Sequence, residues 1–161
     1  MMALAATTKA PSFEGLRPAS ETSSRAKRGN KRQDTLPELL LRRELWRRGL
    51  RFRKNVGDLP GKPDIVFRRA KIAVFCDGDF WHGRHWAERR AKLSEGANPE
   101  YWLAKIEANM GRDLRHAQAL EQAGWQVIRL WETDIKRDLQ AMAEHVREAV
   151  RTATPLKKER S

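Results

Sequence analysis

The chain has 161 residues, 40% of them hydrophobic and 34% charged, which is enough for one domain with a sizeable core and hardly for two. No apolar stretch approaches the roughly 20 residues that a membrane span needs, Met1–Ala6 is too short and uncharged for a secretory signal, and the lone Cys76 excludes an intrachain disulfide, so a cytoplasmic protein is expected. The net charge of +12 is concentrated: from Arg25 to Lys54 twelve basic residues face only Asp34, Glu38 and Glu44, a density that attracts phosphate polyanions, whereas a merely solubilising surface would mix its signs.

Residues 1–32, rich in Ala, Ser, Thr, Lys and Pro, show no sustained period and read as a flexible basic tail. Its Arg25, Lys27, Arg28, Lys31 and Arg32 are candidate phosphate contacts. A helix is predicted from Asp34-Thr35-Leu36-Pro37, where a capping residue precedes an early proline, through Leu39, Leu40, Leu41, Leu45 and Trp46 to Gly49. Leu50–Lys54 reads as a short strand and Gly57–Pro63 as a loop. Asp64–Phe67 and Ile72–Cys76 are apolar strand-type runs joined by Arg68-Arg69-Ala70-Lys71, a predicted hairpin. Gly78 to Asn98 reads as irregular. Helical spacing of Tyr101, Trp102, Ile106, Met110, Leu114 and Ala117 predicts a helix over Pro99–Ala123, closed by Gly124. A buried strand at Trp125–Trp131 and a final amphipathic helix at Asp134–Val150 complete a folded region of 33–152, with 153–161 a second flexible tail. The order α-β-β-β-α-β-α without internal repeats predicts an α/β domain, a central mixed sheet flanked by helices.

Asp64 opens one predicted strand and Asp77 follows the next. A hairpin symmetric about the Ala70–Lys71 bond would set them opposite each other, with Cβ atoms roughly 4.5–5.5 Å apart. Two like charges so placed repel unless a cation lies between them, and hard oxygen ligands favour Mg²⁺. The bland alternative is a pair of polar strand ends. His82, five residues past Asp77, is an imidazole able to shuttle a proton at a metal-bound water, or a surface histidine. His85 has only proximity in its favour, and His116 and His145 lie on polar helix faces. Glu38 shares a helix side with Leu41 and Leu45, which turns it toward the sheet; alternatively it is an N-terminal acid favoured by the helix dipole.

Gly61-Lys62-Pro63-Asp64, a strand, and then Phe75-Cys76-Asp77-Gly78-Asp79-Phe80-Trp81-His82 resemble the active-site block of the very-short-patch (Vsr) mismatch repair endonucleases. The match continues through Asp34-Thr35, Pro37-Glu38, Glu100-Tyr101-Trp102-Leu103, Lys105-Ile106, Asn109, Arg112-Asp113, Gly124-Trp125 and Leu130-Trp131-Glu132, covering roughly residues 33 to 135. The resemblance implies a single PD-(D/E)xK nuclease-like domain that nicks one strand of double-stranded DNA beside a T:G mismatch with Mg²⁺, Mn²⁺ being able to substitute. It implies metal ligation by Asp64, by the Cys76 main-chain carbonyl and by Asp77, where relatives have histidine or aspartate. His82 would act as base or acid on the attacking water and Glu38 would orient metal-bound waters. Phe80, Trp81 and Trp102 would form the aromatic wedge entering the duplex, although Trp102 by its spacing alone reads as packing. A nucleoid location and an unidentified repair-protein partner accompany that role.

The chain departs from the family at the structural zinc, whose positions here read Asp79, Arg84, Trp86 and Thr133. No structural zinc is therefore expected, and packing of Trp86 with charge pairs is expected to hold the segment Asp79–Asn98. The same departure leaves open a PD-(D/E)xK nuclease of a restriction or phage-defence system, and a non-catalytic DNA-binding module.

Overall fold

The computed structural model describes residues 33–154. The predicted tail 1–32, with Arg25, Lys27, Arg28, Lys31 and Arg32, lies outside the described residues, as do residues 155–161. The described chain forms two compact units, residues 80–114 and, in two pieces, 33–79 with 115–154.

The larger unit is built on a sheet of four strands in the order β1 (Arg53–Lys54), β2 (Ile65–Phe67), β3 (Ile72–Asp77) and β4 (Gln126–Trp131). The first two pairings are antiparallel and β3 pairs with β4 in parallel, so the sheet is mixed as expected. Every residue of β3 is buried, the pattern of a strand covered on both faces. On one face Ile65, Phe67, Ile72, Val74, Cys76, Ile128 and Leu130 meet Leu41 and Leu45 of helix α1 (Leu36–Arg47), Ile135 of α4 (Glu132–Arg137), and Ala143 and Val146 of α5 (Leu139–Ala153). On the other, Ala73, Phe75 and Val127 meet Leu120, from the last turns of α3 (Pro99–Gln122).

Both long helix ends that feed strands close in the same way. Gly49 and Gly124, at φ of 87° and 86°, turn the chain in the left-handed region open to glycine. The amide after each glycine then donates to a carbonyl one turn back, Leu50 to Leu45 and Trp125 to Leu120, both at 3.0 Å, and each pair joins one sheet face of the core.

Several predicted boundaries shift. The first helix has Thr35 at its N-cap with no side-chain cap, because Asp34 is turned to φ 55° and spends its groups on Glu38 and Arg42 instead. The strand predicted at Leu50–Lys54 narrows to Arg53–Lys54, with Leu50 and Phe52 packing against the core. The last helix is two, broken at Asp138, whose carboxylate caps the second by accepting from the Ala141 amide at 3.0 Å. Hairpin register also differs: Phe67 pairs with Ile72, centring the turn on the Arg69–Ala70 bond, since the Lys71 amide closes a four-residue turn on the Arg68 carbonyl at 3.2 Å. Asp64 departs from that register: its amide joins the Val74 carbonyl at 3.0 Å and its Oδ2 the Cys76 amide at 2.7 Å, so it is set against Val74–Cys76 and not directly opposite Asp77.

In the smaller unit, the segment read as irregular contains helix α2 (Trp86–Glu95), entered through His85 at φ 52°. Trp86 is half-buried at its first position. Arg90 pairs with Glu107 at 3.7 Å, and the Arg89 guanidinium lies 5.3 Å from the centre of the Phe80 ring. Helical propensity in WAERRAKLSE was concealed by its charge, which leaves no residue of the helix buried.

Candidate active site

In the larger unit three carboxyls converge at the sheet end. Asp64 sits one residue before β2, where its amide donates to the Val74 carbonyl at 3.0 Å and its carbonyl accepts from the Asn55 amide at 3.1 Å. Its Oδ2 accepts the Cys76 amide at 2.7 Å. Along a strand, the N–H and C=O of one residue point to the same side and recur every second residue. The Val74 carbonyl faces β2, so the Cys76 carbonyl does too, on the side of Asp64. Burial pushes the Asp64 carboxyl up to about 7; the Cys76 hydrogen bond opposes this, and the charges of Glu38 and Asp77 add to the rise.

Glu38 is fully buried, one turn into α1, held there by the apolar face it shares with Leu41 and Leu45. Its Oε2 accepts the Asp34 amide at 2.9 Å and Arg42 Nη2 at 3.0 Å, and burial raises its pKa. Asp77 is also buried. It receives the Arg129 guanidinium, Nε at 2.8 Å on Oδ2 and Nη2 at 3.4 Å on Oδ1, and that guanidinium lies 4.3 Å from the centre of the Phe75 ring. Two of the three carboxylates thus have an arginine of their own, while Asp64 has none within ion-pair distance among the described residues. The Cys76 thiol lies in the core, its pKa raised by burial, and is chemically quiet.

Asp79 and Thr133, two of the positions that would carry zinc ligands, bond directly: the Thr133 hydroxyl donates to Asp79 Oδ2 at 2.6 Å. Among the described residues no three His, Cys, Asp or Glu side chains come together as a metal cage. The donor set at the sheet end nevertheless suits Mg²⁺, which typically takes one or two carboxylates and fills its remaining positions with water and substrate phosphate oxygens. Asp64 and the Cys76 carbonyl would supply the protein's share.

The other expected residues belong to the smaller unit. His82 Nδ1 lies 2.6 Å from Asp113 Oδ2. A carboxylate there fixes the proton on Nδ1 and leaves Nε2 the basic nitrogen. Asp113 is matched in the family resemblance as part of Arg112-Asp113 but had no role read from the sequence, since a helical position does not show which side chain it meets. Phe80, Trp81 and Trp102 form one aromatic cluster, with Phe80 centred 5.1 Å from Trp81 and 5.5 Å from Trp102. Trp102 is its buried member, as spacing alone suggested, and Phe80 and Trp81 are half-buried. Buried Asn109 donates to the Trp81 carbonyl at 3.0 Å and so pins the chain between Trp81 and His82.

Similarity to known proteins decides what this geometry belongs to. The family described as DNA mismatch endonuclease Vsr matches residues 19–88. A type II nicking enzyme of Neisseria meningitidis serogroup C is 44% identical over 86% of this chain and 92% of its own. A second, from Haemophilus parainfluenzae, is 40% identical over 77% and 86%, and the DNA mismatch endonuclease Vsr of Escherichia coli is 34% identical over 71% and 72%. The chain belongs to the Vsr family. It is a DNA endonuclease, and the mixed sheet with its covering helices is a Vsr-type nuclease fold. Within that fold Arg42 and Arg129, which sequence reading left without roles, are the cations held against two of its three sheet-end carboxylates.

Proposed function

We propose that this Vsr-family endonuclease hydrolyses one phosphodiester of duplex DNA at a T:G mismatch, using Mg²⁺ held by Asp64 and the Cys76 carbonyl. The observation that carries the metal reading is Asp64 itself: a carboxyl pushed up to about 7 by burial and by neighbouring carboxylates gains most from a divalent cation, which stabilises the ionised form. Such an ion supplies Lewis-acid polarisation of the phosphoryl oxygen and an acidified water. Glu38 would hold waters at the bound ion, and Asp77, its charge balanced by Arg129, would be the second carboxylate at the site. His82 moves a proton at Nε2, with Asp113 holding the ring through Nδ1. Strand nicking is supported by the relatives whose names state it, and the mismatch substrate by the family description and the Escherichia coli relative.

The test is a nicking assay on T:G-mismatched and fully paired duplexes, each with and without Mg²⁺, for wild type and Asp64→Ala. Wild type should nick the mismatched duplex only with the ion, and Asp64→Ala should lose nicking while keeping DNA binding, because the basic surface is untouched. Wild-type nicking by Asp64→Ala in Mg²⁺ would overturn the catalytic assignment. Equal nicking of both duplexes by wild type would leave the endonuclease and remove the mismatch, favouring a nuclease of a restriction or defence system.

A further inference from the structure

We propose that Arg42 is a positioning residue of this nuclease: its guanidinium, buried behind the sheet end, fixes Glu38 and the Asp64 main chain in one geometry. The role rests on the reading that Asp64 holds a cation and Glu38 orients its waters. Arg42 Nη1 donates to Asp34 Oδ1 at 2.7 Å, and Nη2 donates to Glu38 Oε2 at 3.0 Å, to Asn55 Oδ1 at 3.1 Å and, most weakly, to the Asp64 carbonyl at 3.5 Å. Those four acceptors come from the turn before α1, from α1 itself, from the residue after β1 and from the residue before β2. The side chain retains 8% of its accessible surface, a degree of burial that arginine tolerates only when paired.

The partners also lock one another. Asn55 Nδ2 donates to Asp34 Oδ1 at 3.3 Å, the Asp34 amide donates to Glu38 Oε2 at 2.9 Å, and the Asn55 amide donates to the Asp64 carbonyl at 3.1 Å. The Asp64 carbonyl is thereby held by two donors from one side while its carboxyl takes the Cys76 amide on the other. A planar fork reaches several acceptors in fixed directions at once, which a lysine ammonium on a flexible stem does not. A mere counter-charge would be replaceable by lysine, and a positioning fork is not.

The test therefore centres on Arg42→Lys, with three readouts: thermal melting, kcat and KM on a mismatched duplex, and calorimetric titration of the DNA-free protein with Mn²⁺ alone. A folded Arg42→Lys should keep KM for DNA and lose about 10–100-fold in kcat, with Mn²⁺ affinity about tenfold weaker. Wild-type kcat and Mn²⁺ affinity in this variant overturn the proposal, as does a loss of activity that only tracks the unfolded fraction. Should Arg42→Lys fail to fold, Asn55→Ala leaves the guanidinium and removes one acceptor, and it should lower kcat about tenfold; unchanged kcat there equally overturns the role. If wild type binds no Mn²⁺ and nicks without a divalent ion, the metal reading falls, while the split between kcat and KM still decides Arg42.

Discussion

At Asp64 the fold holds a carboxyl where it ionises reluctantly, and that reluctance has a measurable sign. In the unfolded chain the group titrates near the ordinary 3.8, whereas folding raises it to about 7. The folded state therefore binds this proton more tightly. The stability so contributed is complete below the unfolded value and is lost as pH rises through about 7. In chelator, Asp64→Asn stays neutral, so it should match wild type near pH 4 and exceed it near pH 8 by on the order of 1–3 kcal/mol. Melting scans across that range check this, and an asparagine variant less stable than wild type near pH 8 would refute it. A cation bound at Asp64, as proposed, would return that stability by binding the folded state alone.

Helix α1 shows how one element serves two ends. Its apolar face places Leu41 and Leu45 in the core with no exposed surface, and the same face delivers Glu38 and Arg42 to the sheet end one turn earlier. Its last turn is tied to α5, where Arg48 donates to Glu144 at 2.5 Å and to the Gln140 side chain at 2.7 Å. The leucines of this helix look alike in sequence but not in place, Leu39 being 48% exposed. Leu45→Ala should cost about 2–5 kcal/mol of stability, from lost burial and the cavity left behind. Leu39→Ala should stay within about 0.5 kcal/mol of wild type. Denaturant unfolding distinguishes them, and equal losses would mean that the helix does not pack by this face.

For the molecule as a whole, the proposed function divides the work of meeting DNA between charge and aromatics. Of the cations between Arg25 and Lys54 that the structure describes, Arg42, Arg47 and Arg48 pair with carboxylates of the chain, whereas Arg43, Arg51, Arg53 and Lys54 are exposed and are proposed to supply salt-sensitive, sequence-independent affinity. Phe80 and Trp81 are proposed to unstack a base step, at a cost of a few kcal/mol that falls where pairing is already weakened. The double variant Phe80→Ala with Trp81→Ala should therefore lose nicking at a T:G mismatch far more than it loses binding to ordinary duplex across a salt series. A double variant that keeps the mismatch preference would make these rings, like Trp102, part of the packing.

Much of this was already fixed by the order of residues. Hydrophobic runs and terminal glycines located the first helix, the long helix before Gly124, the region of the last two helices, and three of the strands, because burial and left-handed turns are demands that local sequence must meet. The charged helix Trp86–Glu95, which buries nothing, gave no such signal. The motif around Asp64, Cys76 and His82 gave the family, since residue identities at set spacings need no coordinates. Pairing was a different matter. The hairpin register depended on a single turn closing at Arg68–Lys71, and with it Asp64 came to lie against Val74 and Cys76, not opposite Asp77. Arg42 and Arg129 could be counted as charge but not assigned, because a guanidinium's partner is set by what tertiary contact brings within about 3 Å. Asp113 found His82 across 31 positions of chain, a proximity that only packing creates.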